Sequence, residues 1–141
     1  MLIAILFWVM TLSACGYAAF LGGWEGKWTT ALIVSATFGT FISEAVINLN
    51  WRQTNSLVFA VDLAMLVGMY VIAVKSRRWW PLWVAAFQLN SVAAHLATVL
   101  SPAFSAAVYN GFEGLWAFPG QILMVYGIWR DRVGEYRFKL S

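Results

Sequence analysis

Residues 79–101, WWPLWVAAFQLNSVAAHLATVLS, decide the class of fold. The stretch opens on aromatics and a proline, then stays apolar over a full membrane thickness. It carries Gln88, Asn90 and the only histidine of the chain, His95. A surface helix of this length in a water-soluble protein shows a polar face, and this one shows almost none. About 20 apolar residues at 1.5 Å rise each suffice to cross a bilayer, so the stretch reads as a transmembrane helix. Its polar members need an explanation, because such groups are costly in hydrocarbon.

The rest of the composition agrees. Of 141 residues, 62% are hydrophobic and 11% charged, against about 45–50% and about 25% in ordinary globular domains. So apolar a chain cannot cover its surface with polar groups, and the surface is expected to face lipid. The net charge of +3 is no nucleic-acid signal, because the basic residues sit at the ends of apolar segments and form no stripe. A single cysteine, Cys15, excludes an internal disulfide and any CxxC motif. Residues 12–16, Leu-Ser-Ala-Cys-Gly, match a lipoprotein lipobox, but a signal peptide wants a positively charged start and Met-Leu-Ile-Ala-Ile-Leu has none.

Five spans are expected: residues 1–21, 29–49, 57–74, 79–101 and 106–129, in one domain, followed by a basic tail over 130–141. Residues 22–28, GGWEGKW, read as a turn, and Pro119 as a kink in the fifth span. Ala14, Ala18, Gly22 and Gly26 recur every four residues and predict a smooth ridge for a neighbouring helix. Five crossings put Lys27, Lys75, Arg77, Arg78, Arg130, Arg132, Arg137 and Lys139 on one side and only Arg52 on the other. By the positive-inside rule the first side is cytoplasmic, so the N-terminus lies outside and the C-terminus inside, as in a bacterial inner membrane. A four-span chain, with residues 103–118 in the interface, would split these charges and is disfavoured. The expected fold is an all-α integral membrane protein, a bundle of about five transmembrane helices.

This threading gathers polar residues. Glu44, Asp62 and His95 each fall about 9 Å inside the outer boundary at 1.5 Å per residue, and Glu113 about a turn deeper. Asn48, Asn90 and Asn110 join the same half, and Trp8 and Trp116 reach it as aromatic walls. Glu44 and Asn48 share a helical face, as do Ser91 and His95, with Gln88 two turns away. Such groups are expected to meet each other or line water.

Three readings follow from that layer. It is interhelical glue, or an outward-facing site for a cation, proton or small ligand in a channel- or transporter-like protein, or a metal site of an intramembrane hydrolase built from Glu44, Asp62, His95 and Glu113. One histidine and no HExxH are thin for zinc, and oxygen ligands suit calcium or magnesium better. No serine or cysteine nucleophile is in a recognisable setting, no nucleotide motif occurs, and one histidine excludes bis-histidine haem within the chain. The sequence therefore points away from an enzyme and names no cofactor. The leading expectation is the ligand, proton or cation site, with the bilayer and self-association as partners. A subunit of a larger membrane complex is the alternative.

Overall fold

A computed structural model describes residues 2–46, 56–100 and 116–140. The described residues form five helices: α1 (Leu2–Leu21), α2 (Gly23–Val46), α3 (Ser56–Lys75), α4 (Trp80–Leu100) and α5 (Ala117–Leu140). At 1.5 Å per residue these 20- to 24-residue helices are about 30–36 Å long.

Each helix packs on the next, and α5 closes back on α1, so the five form a ring. Contact positions give the directions. Thr30 bonds the Cys15 carbonyl and Gly26 meets Ala18, so α1 and α2 are antiparallel. Gly39 faces Val61 and Gly68 faces Leu32 across α2 and α3. Gly120 faces Phe87 and Gly127 faces Trp80 across α4 and α5. These pairs also run in opposite senses. Between α1 and α5 the pairing is parallel: Thr11 with Gln121, then Leu21 with Arg132. An odd number of alternating helices closes only with one such parallel seam.

Two boundaries differ from the expectation. Residues 22–28 are not an open turn, because α2 starts at Gly23. Gly23 has φ +68°, a left-handed conformation open to glycine at little cost, and one residue there suffices to reverse the chain. The ridge of small residues consequently folds on itself: a Cβ on Gly26 would overlap the Ala18 carbonyl. At the other end, the expected tail from 130 continues α5 to Leu140. Pro119 sits in the first turn of α5, where the missing N–H has no helical partner to lose, so it starts a helix where a kink was expected. Residues 106–115 of the expected fifth span lie outside the described residues.

Among the described residues, the bundle is packed tightly at one end and contains a cavity toward the other. Ala14, Ala18, Met69, Trp80, Val84, Ala85, Met124 and Ile128 form the core. Small residues bring the backbones together there: a Cβ on Gly127 would overlap Trp80. Outside, large apolar side chains point away from the ring, among them Leu12, Val74 and Phe20, the last 86% exposed. Thr11, Glu25, Thr29, Ser91, His95 and Gln121 are buried. The interior is thus mainly apolar with six polar residues buried in it, while many large apolar side chains are exposed. By length and composition alone, one described helix, the Leu57–Lys75 stretch of α3, suffices to cross a membrane, and the apolar run Ile5–Leu21 of α1 is shorter.

Candidate functional site

The hollow half of the ring contains a cavity of about 360 Å³ lined from all five helices. Its walls include Phe7 and Trp8 of α1, Thr37 and Thr40 of α2, Phe87 of α4, Gln121 of α5, and Trp116 just before α5. The Phe87 and Trp116 rings stack with centroids 6.2 Å apart, and Phe7 meets Trp8 edge-on at 6.3 Å. Thr11 and Gln121 pair across the α1–α5 seam, the Gln121 amide donating to the Thr11 hydroxyl at 2.9 Å.

Among the described residues, Asp62 of α3 is the one ionisable residue of this wall. It is held by a single face of α4, because Gln88, Ser91 and His95 recur at helical spacing. Gln88 Nε2 donates to Oδ1 at 3.2 Å and to the Asp62 carbonyl at 3.3 Å. Ser91 Oγ donates to Oδ2 at 3.2 Å, and His95 Nε2 lies 2.8 Å from the same oxygen. His95 is fully buried, against 16% exposure for the Asp62 side chain, and packs edge-on against Phe59. His95 does not line the cavity, so the order from the hollow outward is carboxylate, then imidazole. With Asp62 ionised, Nε2 carries the hydrogen between them, and protonation of the ring turns the hydrogen bond into an ion pair. A carboxylate offers about four acceptor positions. The described donors on Oδ1 come from Gln88 alone, so among the described residues this oxygen keeps acceptor capacity.

Of the residues expected in the polar layer, the structure thus brings together Asp62 and His95, with Trp8 and Trp116 lining the cavity beside Asp62. Asn90 is exposed and does not line it. The Glu44 side chain and Asn48, Asn110 and Glu113 lie outside the described residues. Among the described residues no group of three His, Cys, Asp or Glu is placed to hold a metal, and the imidazole nitrogen nearest Asp62 is engaged by that carboxylate. The hydroxyl–amide pair Thr11–Gln121 was not anticipated. Its signal in the sequence is one amide placed after Pro119-Gly120 in an apolar run.

A second unanticipated polar cluster closes the packed end. Arg78, between α3 and α4, reaches Glu25 of α2 at 3.6 Å and Asp131 and Glu135 of α5 at 3.5 and 3.7 Å. Ser76 Oγ donates to Glu25 at 3.0 Å and accepts the Arg78 N–H at 3.0 Å. Arg132 Nε donates to the Leu21 carbonyl at 3.1 Å, satisfying an end group of α1. Burial raises the Asp131 carboxyl above its ordinary range. Arg78 opposes this, Glu135 and Glu25 add to it, and the Trp80 indole N–H lowers it weakly without reaching hydrogen-bond geometry. This cluster straps three parts of the chain together and leaves the cavity at the far end open to other work.

No known protein family, curated protein or solved structure matches the chain.

Proposed function

We propose that the protein is a multi-pass protein of a bacterial inner membrane that binds a cation or a proton at Asp62, with His95 as its buried partner. The observation that carries this reading is the position of Asp62, in the cavity wall on one side and 2.8 Å from a fully buried imidazole on the other. An ionisable pair among apolar helices marks a proton or substrate path by default. The membrane setting is supported by the apolar exterior and by the basic residues gathered at the Arg78 end, which makes that end cytoplasmic and the cavity outward-facing. Among the described residues, Asp62 is the ionisable group that a proton in the cavity meets. The Asp62–His95 pair holds it with either partner protonated, while Gln88 and Ser91 keep the carboxylate oriented.

Proton flux into reconstituted vesicles, followed with a trapped pH dye under a potassium-diffusion potential, tests the reading. Flux above that of empty vesicles is expected for the wild type and is lost in Asp62→Asn and His95→Phe. Equal flux in all three proteins, or none above background in the wild type, overturns it.

A further inference from the structure

We infer that the cavity takes an organic monocation, an alkylammonium with apolar substituents, seated between the Asp62 carboxylate and the aromatic wall. The inference rests on the reading of Asp62 as a binding group and adds the chemical class of the ligand.

Three observations converge on it. The volume of about 360 Å³ lies at the lower end of small-molecule pockets, about 300–1,000 Å³, and exceeds what a bare inorganic ion needs. Phe7, Trp8, Phe87 and Trp116 line the same space from α1, α4 and the residue preceding α5. Aromatic faces attract a diffuse cation within about 6 Å of the ring, and tryptophan does so best. Among the described residues the one ionisable group in the wall is Asp62, a carboxylate, and the described donors on its Oδ1 come from Gln88 alone. A small hydrated metal ion would want several oxygen ligands at short range, and among the described residues the wall supplies one carboxylate with hydroxyls and amides. An anion would meet Asp62 unfavourably. A neutral apolar molecule would leave the carboxylate unanswered.

The arrangement also sets how the two partners of Asp62 compete. A cation against Oδ1 adds positive charge beside a carboxylate already bonded to His95 through Oδ2. The ligand is therefore held best when His95 is neutral, and it competes with the proton for the same carboxylate charge. Among the described residues, His95 is the titratable group bonded to Asp62.

Calorimetric titration of the purified protein in lipid nanodiscs with tetraethylammonium chloride, against sodium chloride at equal ionic strength, tests this. Saturable binding of tetraethylammonium is expected for the wild type. Asp62→Asn should weaken it at least tenfold, and Phe87→Leu or Trp116→Leu about 2- to 30-fold, the range from an exposed to a desolvated cation–π contact. Thermal unfolding of each variant checks that the bundle is intact. Binding undiminished in Asp62→Asn overturns the inference, as does binding that is unchanged in both aromatic variants. No binding of tetraethylammonium alongside proton flux that depends on Asp62 removes the organic cation and leaves the proposed function standing. Loss of both removes both.

Discussion

Asp62 Oδ2 and His95 Nε2 stand 2.8 Å apart on neighbouring helices, and the histidine of the pair has no solvent exposure. Each helps to satisfy the other. A buried imidazole needs an acceptor, and a carboxylate in an apolar wall needs donors. The bond also fixes the rotation of α4 against α3, because Gln88 and Ser91 reach the same carboxylate from the same face.

Asp62→Asn is expected to lower stability modestly, by about 1–3 kcal/mol, since hydrogen bonds to a charged group are worth about 1.5–3 kcal/mol and the amide keeps part of them. Asp62→Leu should cost more, because it leaves His95, Ser91 and Gln88 without their shared acceptor. Denaturation in mild detergent, compared across the two variants, reads the difference. Equal losses would mean that the network contributes little.

Arg78→Ala should destabilise by about 1–3 kcal/mol. It strands Glu25, whose side chain is only 7% exposed, beside Asp131. Glu135→Ala should change stability by less than about 0.5 kcal/mol, because that partner is 63% exposed and its pairing is screened. Chemical unfolding of both variants would show a clear rank order, and the reverse order would refute this account of the strap.

Asp131 gives a pH dependence with a definite sign. Its carboxyl titrates above the ordinary value in the folded chain, mainly because it is partly buried. Its contribution is therefore fully present below the unfolded-state value and is lost as pH rises through the folded-state value. Asp131→Asn removes that loss, so the variant's melting temperature minus that of the wild type should be more positive at pH 7 than at pH 4. A difference that is flat or inverted between those two pH values rules the assignment out.

Two glycines should respond in opposite directions. Gly127→Ala drives a methyl into the Trp80 side chain near its backbone, where nothing can swing aside, and should cost about 1–3 kcal/mol. Gly16→Ala meets no atom within 4 Å and should stabilise α1 by about 0.5–1 kcal/mol through helix propensity. Paired unfolding curves in one detergent would establish both signs.

The helical character of α1 to α4 and of residues 117–129 can be read from hydropathy alone, as can the helical spacing of Gln88, Ser91 and His95, whereas the continuation of α5 to Leu140 cannot. What that face meets cannot be read, since helix rotation is set by packing between segments far apart in sequence. The chain reversal at Gly22-Gly23 is hidden for a related reason. The charges of Glu25 and Lys27 look like loop polarity, whereas they lie in the first turns of α2, with Glu25 buried against Ser76 and Arg78. The basic residues at 77–78 and 130–132 are explained equally well by topology, so their counterparts Glu25, Asp131 and Glu135 draw no notice until the fold places them. Thr11 and Gln121 are 110 positions apart, and nothing local marks them as partners.

The parallel seam between α1 and α5 has a consequence for how this chain can be joined to another copy of itself. α1 begins at the end of the ring opposite to the one where α5 finishes. The 24 residues of α5 put that far end about 36 Å away. A head-to-tail tandem would need a linker of at least about eleven extended residues running down the outside of the bundle. In a bilayer, such a linker would need its backbone groups satisfied, as in a helix of about 20 residues. Duplication by fusion therefore requires an added connecting element of that length, whereas copies assembling as separate chains need none.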